Sequence, residues 1–168
     1  NAGTWGTKTN TNLTLIEQIA GGYVSVSIAG GAGTQALDID NGALTGEAQN
    51  RVIEFTGTIS GNRVITVPVN TENFYFIKNN TSGSYTVQLK AASGSGATVT
   101  FATGNKGWKV VYFDGVATNT GVYEIEIDTV ATPGGSDTQV QFNNSGAFGG
   151  DANLVWNSST GLNIGSQK

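Results

Sequence analysis

The spacing of apolar residues changes near residue 22, from the period of an α-helix to that of β-strands. Between residues 4 and 20 one helical face carries Leu13, Leu15, Ile16 and Ile19. Two consecutive glycines at 21 and 22 end this predicted helix. We expect Leu13, Ile16 and Ile19 to form its buried stripe, with Trp5 packed near its start.

From Tyr23 onward, apolar and polar residues alternate in short runs that recur about every ten residues, which is the signature of an all-β domain. The predicted strands cover residues 23–28, 35–39, 51–56, 63–67, 73–78, 85–90, 98–102, 108–113 and 122–128. The glycine-rich residues 30–33 lead from one strand into the next, so we interpret them as a hairpin turn. The pattern predicts an all-β fold with one short N-terminal helix, built as an antiparallel β-sandwich-like domain.

Proline and paired glycines within residues 129–137 predict a linker. The predicted organisation is therefore an N-terminal helical segment (1–22), a β-sandwich-like domain (23–128), the linker (129–137) and a small β appendage (138–168). Some thirty residues cannot bury much apolar surface alone, so we expect the appendage to be completed by partner chains, intertwined in a trimer. The chain opens on Asn rather than Met, and we expect it to be a piece of a longer polypeptide with a distal region beyond residue 168.

Composition removes several kinds of chemistry. The chain has no cysteine and no histidine, which excludes a disulfide framework, a thiolate metal site and a Ser-His-Asp triad. Its net charge is −4, which argues against nucleic-acid binding. No apolar run approaches the roughly 20 residues that span a bilayer, so we expect no membrane insertion.

Two groups of carboxylates are candidates for a catalytic or a metal site. Glu124, Glu126 and Asp128 alternate along a strand at about 6.5–7 Å, within the spacing of inverting glycosidases. The favoured interpretation is the solvent face of an edge strand whose other face is buried, where nothing raises the pKa of an acid.

Residues 38–42 begin like a calcium loop, but Gln49 stands where the bidentate acid is needed. A turn closed by Asp and Asn side chains explains this segment better. We therefore predict no catalytic residue, no cofactor and no metal.

Aromatic side chains supply the remaining candidates for binding, because Tyr and Trp combine an apolar ring with a polar handle that suits sugars. The candidate glycan contacts are Tyr75, Tyr85, Tyr112 and Trp108. Packing in the core is the competing interpretation, favoured for most of them because aromatic residues dominate burial.

The chain contains a series of distinctive segments: residues 1–13 with the following Leu15, Ile16 and Glu17, and residues 51–57, 74–79, 82–87, 133–143 and 146–151. These segments resemble tail-fibre-like proteins of tailed bacteriophages, notably marine ones. The resemblance implies an elongated, trimeric virion appendage and carries no catalytic motif.

The expected function is that of a structural virion protein, the virion-proximal part of a phage tail fibre. It would attach to other phage tail proteins and project a distal host-receptor-binding region, on a virion that is extracellular after release. The alternatives are a head or neck fibre, a carbohydrate-binding module for host surface glycan, and a glycan depolymerase using Glu124, Glu126 or Glu54.

Overall fold

The computed structural model describes residues 2–40, 42–126 and 134–165, and the chain divides into two compact units, Asn1–Ile127 and Asp128–Lys168. Within the described residues the protein is mostly β-structure with one N-terminal α-helix, which confirms the coarse fold class. The predicted linker at 129–137 falls largely on residues outside the described ranges. The helix is not long and apolar enough to cross a membrane, and it is the longest helix in those ranges.

The described residues of the first unit form α1 (Ala2–Gly21), a short 3-10 helix (Glu47–Gln49) and nine strands: β1 (Tyr23–Ser27), β2 (Gly33–Ala36), β3 (Val52–Thr56), β4 (Arg63–Val67), β5 (Glu72–Asn79), β6 (Val87–Ala91), β7 (Val99–Phe101), β8 (Gly107–Asp114) and β9 (Val122–Ile125). The second unit contains β10 (Gln139–Asn144), β11 (Ala147–Asn157) and β12 (Gly161–Ile164).

The first six strands alternate between two sheets, so this part of the chain winds through stacked coils as in a short parallel β-helix. A five-stranded sheet has the order β1-β3-β5-β8-β9, and a four-stranded sheet has the order β2-β4-β6-β7. The pairs β1–β3, β3–β5, β2–β4 and β4–β6 are parallel, while β5–β8, β8–β9 and β6–β7 are antiparallel. The predicted antiparallel arrangement is therefore wrong for the pairs that the first six strands form with one another.

The corners between the two sheets explain this difference. Gly30 pairs in parallel with Ile59, and the Ser60 amide donates to the Gly30 carbonyl at 2.8 Å. The hydrogen-bonded ladder thus continues through the corner that leads from β1 to β2. Residues 30–33 carry the chain from one sheet to the other, and the predicted hairpin turn there is wrong.

One apolar core lies in the first unit and takes side chains from both sheets. Its largest fully buried members are Tyr75, Phe55, Phe101 and Phe113. The Tyr75 ring packs edge-on against Phe113, with centroids 5.4 Å apart, and its hydroxyl donates to the Ala48 carbonyl at 2.9 Å.

The stripe of α1 is exposed in the single chain, which corrects the expectation that it is buried. Trp5 is 75% exposed and Ile16 is 61% exposed, and Leu13 and Ile19 are also exposed. Hydrogen bonds join the end of the helix to the domain: the Arg51 amide donates to the Gln18 carbonyl at 3.1 Å, and the Arg51 side chain donates to the Ile19 carbonyl at 2.9 Å. The periodicity identified the apolar face, but the first unit does not cover it.

The second unit is an antiparallel three-stranded sheet in the order β10-β11-β12. Leu154 pairs with Ile164 and Trp156 pairs with Leu162. Directly paired residues share a face, as do residues two apart on a strand. These four side chains therefore form one apolar face, on which Trp156, Leu162 and Ile164 are exposed.

Candidate functional site: an aromatic sheet face

The outer side of the five-stranded sheet carries a concentration of exposed aromatic rings. We call this surface the aromatic face and define it by the outward-facing residues Tyr23, Phe74, Phe76, Trp108, Tyr112 and Tyr123. Register explains the concentration: Phe74, Tyr112 and Tyr123 lie opposite one another on β5, β8 and β9. Directly opposite side chains in a sheet have Cβ atoms about 4.5–5.5 Å apart, so these rings form a continuous row.

A second row crosses all five strands of the sheet. It contains, in order, Tyr23, Val52, Phe76, Val110 and Ile125. Trp108 lies beside this row, two residues before Val110 on β8, and is paired with Lys78. Trp108 is 58% exposed, so its indole ring is available to a ligand.

Glu54 is the centre of a polar network beside these rings. It accepts hydrogen bonds from the Tyr23 hydroxyl and, at 2.8 Å, from the Asn80 side-chain amide. Lys78 Nζ lies 3.1 Å from Glu54 Oε1 and 5.7 Å from the centroid of the Trp108 ring. The hydrogen bonds from Tyr23 and Lys78 lower the pKa of Glu54, and the bond to Glu54 raises the pKa of Tyr23.

Two further contacts fix ring positions on the aromatic face. The Arg51 guanidinium lies 4.0 Å from the Phe74 ring centroid and donates to Asn73 Oδ1 at 2.5 Å. The Tyr112 hydroxyl donates to Glu72 Oε1 at 2.9 Å, and this bond raises the pKa of Tyr112. Rings and polar groups are therefore held in place by the chain itself.

The structure separates the four predicted glycan contacts. Trp108 and Tyr112 lie on the aromatic face, about 13 Å apart along β8. Tyr75 is a core residue, so the interpretation of Tyr75 as a surface contact is wrong. Tyr85 is exposed but lies before β6, away from the five-stranded sheet.

The aromatic face also includes Tyr23, Phe74 and Phe76, which sequence reasoning did not propose as contacts. The run 74–76 showed that neighbouring side chains must point to opposite faces of a strand. It did not show which neighbour faces outward. In the structure Ile77 and Asn79 are buried, and the alternation of β5 therefore places Phe74 and Phe76 on the outer face.

The carboxylates of β9 differ from the expectation in one respect. Glu124 lies on an edge strand, as expected, and pairs with Lys109 at 2.7 Å. The opposite side of β9 is not buried, because Tyr123 and Ile125 are both exposed on the aromatic face. Asp128 lies outside the described residues.

Glu54 has the wrong electrostatics for an acid catalyst. Hydrogen bonds from Tyr23, Lys78 and Asn80 lower its pKa, whereas a general acid needs a raised one. In the described residues, no three side chains of the metal-ligating types converge on a point that could hold an ion.

Residues 38–42, which begin like a calcium loop, belong to a loop that is closed by hydrogen bonds between its own residues. The Gln49 side chain accepts from the Gly46 amide at 2.8 Å and donates to the Ala43 carbonyl at 3.0 Å. The Thr45 hydroxyl donates to Asp40 Oδ2 at 2.6 Å. Asn41 lies outside the described residues.

Comparison with protein-family models, with curated protein sequences and with solved structures finds no match for this chain.

Proposed function

We propose that this chain is a structural virion protein, the virion-proximal part of a phage tail fibre, which attaches to the tail and projects a distal host-receptor-binding region. In this proposal three copies associate through α1, and the β-sandwich-like first unit is followed by an appendage intertwined with its counterparts. The resemblance in residues 1–13, 51–57 and 133–143 supports the assignment to a fibre. The observation that carries the proposal is the presence of apolar faces that a single chain leaves exposed, on α1 and on the second unit.

The apolar stripe of α1 is shaped to meet other helices. At 100° per residue, Trp5, Leu13, Ile16 and Ile19 fall within a sector about 120° wide. Ile16 and Ile19 have the three-residue spacing of a and d positions in a heptad. Isoleucine at both positions favours three- or four-stranded coiled coils over dimers.

The composition of α1 gives a second reason to expect partners. Its 20 residues include glycines and many threonines, both of which have low helix propensity. Thr7, Thr9, Thr11 and Thr14 hydroxyls donate to the carbonyl four residues earlier, at 3.0–3.1 Å. Such a helix is marginal on its own, and burial of its stripe against copies of itself would stabilise it.

The apolar face of the second unit favours the same kind of association. Trp156 is 59% exposed and its cross-strand neighbour Leu162 is 52% exposed. A small sheet needs one face covered to be stable. Three identical sheets that pack these faces together would supply that cover.

Charge does not oppose self-association at either place. Within α1 the charged side chains are Lys8 and Glu17, and in the described part of the second unit they are Asp137 and Asp151. Like-charge repulsion between copies is therefore small.

Analytical ultracentrifugation of the chain with two matched glutamate variants tests the assembly. We expect a trimer for the parent chain and dissociation for Ile16→Glu, because the new carboxylate would lie in the shared apolar seam. Thr7→Glu places the same charge on the opposite face of α1, about 180° around the helix from Ile16, and should remain trimeric. A parent chain that is monomeric at micromolar concentration would refute the assembly.

Immunoelectron microscopy of virions that carry the chain tests the location. An antibody against the chain should label the tail fibres close to the tail. Label at the head or neck would favour the alternative fibre, and virions without label would contradict a virion role.

A further inference from the structure

We propose that the aromatic face is a binding site for a neutral saccharide chain, a role beyond the structural one proposed above. The argument rests on the ring positions, the fixed polar groups and the charge balance of this face.

The rings lie along a track whose length suits several sugar units. Phe76 lies diagonal to both Trp108 and Tyr112 across β5 and β8, at about 7–8 Å. Trp108 and Tyr112 mark the two ends of a track about 13 Å long. The C–H groups on one side of a pyranose ring pack favourably on the electron-rich faces of such aromatic rings.

Polar groups beside the track supply donors and acceptors for hydroxyl groups. Lys78 Nζ and Glu54 Oε1 form an ion pair next to Trp108, and Asn80 donates to the same carboxylate oxygen. At the other end, Glu72 accepts from the Tyr112 hydroxyl. A mostly aromatic surface with a few convergent polar groups is typical of small-molecule sites.

These polar groups favour a saccharide over a second protein surface. The Lys78 side chain is 33% exposed, so a protein interface over it would remove water from the Glu54–Lys78 pair. Charged residues are depleted at the centres of protein interfaces because that desolvation is costly. Sugar hydroxyls can replace the lost water hydrogen bonds, so a saccharide avoids this cost.

The charge balance favours a neutral saccharide over an acidic one. Arg51 and Lys78 are already engaged by Phe74 and Glu54. Glu72 and the chain's net charge of −4 would repel an acidic polymer. The face is therefore complementary to an uncharged, hydroxyl-rich ligand.

The site is also arranged before any ligand arrives. Arg51 holds the Phe74 ring, Glu72 holds the Tyr112 hydroxyl, and Phe74 packs edge-on against Phe76 at 6.1 Å. Side chains that are already fixed lose little entropy on binding.

The test is calorimetric titration of the full chain with maltohexaose, cellohexaose, laminarihexaose and mannohexaose, with polygalacturonate as the acidic comparison. We expect binding of at least one neutral oligosaccharide and none of polygalacturonate. Trp108→Ala and Phe76→Ala should each weaken binding by about tenfold or more, because each removes a stacking surface. Tyr85→Ala, an exposed tyrosine away from the sheet, should leave the affinity within about twofold.

Three outcomes would overturn the proposal: no neutral oligosaccharide binds, polygalacturonate binds instead, or Trp108→Ala and Phe76→Ala bind as tightly as the parent chain. Loss of self-association in Trp108→Ala without any saccharide binding would assign the face to a second copy, and would also overturn it. Circular dichroism of each variant checks folding, since Trp108 is largely exposed. The Ile16→Glu variant should retain saccharide binding, which separates this test from the test of assembly.

Discussion

Adding one methyl group at Gly61 should destabilise the first unit, because this glycine touches the neighbouring coil. A Cβ built at Gly61 would lie 2.8 Å from Ala32 Cα and 2.9 Å from the Gly31 carbonyl carbon. Carbon atoms pack best at about 3.5–4.0 Å, so the two corners must separate by about 1 Å. At Gly31, by contrast, an added Cβ has no atom within 4 Å.

The size of the effect follows from the hydrogen bonds that join the two corners. The Ser60 amide donates to the Gly30 carbonyl at 2.8 Å, and the Gly33 amide donates to the Asn62 carbonyl at 3.2 Å. A separation of about 1 Å would break both, which costs about 0.5–1.5 kcal/mol each. Overpacking that is not relieved costs about 1–3 kcal/mol. These are alternative ways of absorbing one clash, so Gly61→Ala should lose about 1–3 kcal/mol.

Gly31→Ala is the matched control, because it adds the same methyl group at the corner of the neighbouring coil. It should change the free energy of unfolding by about 0.5 kcal/mol or less. Urea unfolding is followed by Trp108 fluorescence with Trp5 and Trp156 replaced by Phe, at one protein concentration for all variants. Equal unfolding midpoints for Gly61→Ala and Gly31→Ala would show that the coils do not stack at these corners.

Three further predictions concern buried and loop residues. Tyr75→Phe should cost about 1–2 kcal/mol because the buried Ala48 carbonyl loses its donor. Burial raises the pKa of Tyr75, so its stabilising effect is complete below pH 10 and is lost at higher pH. The difference in free energy of unfolding between the parent chain and Tyr75→Phe should therefore shrink above pH 10. Phe55→Ala should cost about 3–5 kcal/mol by creating a cavity, again measured in urea. Hydrogen bonds from the Val116 and Gly121 amides lower the pKa of Asp114, so the stabilisation that its carboxylate provides is lost as pH falls below about 3.8. The melting temperature of Asp114→Asn should therefore fall less between about pH 5 and pH 3 than that of the parent chain.

The positions of the strands were largely predictable, because alternation with a period of two is a local property of the sequence. Residues 63–67 form a strand with the predicted bounds, and the predicted strand 108–113 lies within Gly107–Asp114. The pairing direction was not predictable in the same way. A glycine-rich corner between two sheets and a hairpin turn within one sheet have similar composition, and the difference lies in distant partners such as Ile59.

The candidate site shows a similar division. Sequence identified Trp108 and Tyr112 as aromatic residues suited to contact, but it could not show that Tyr75 points inward and Phe74 outward. The helical stripe was also identified correctly as apolar. Periodicity shows that a face seeks burial, but it does not show whether the cover comes from the same chain or from another.

The exposed surfaces of this chain differ in chemistry, and this difference is the physical basis for proposing different roles for them. The stripe of α1 consists of apolar side chains, and the face around Trp156 is formed by aliphatic neighbours. Burial of either surface therefore desolvates little that is polar, which suits permanent contact with identical copies. The aromatic face instead keeps Glu54 and Lys78 in contact with its rings. Those charges make permanent burial costly, whereas a hydrated ligand can bind beside them and leave again. A scaffold that assembles through its apolar faces would leave the aromatic face free for such a ligand.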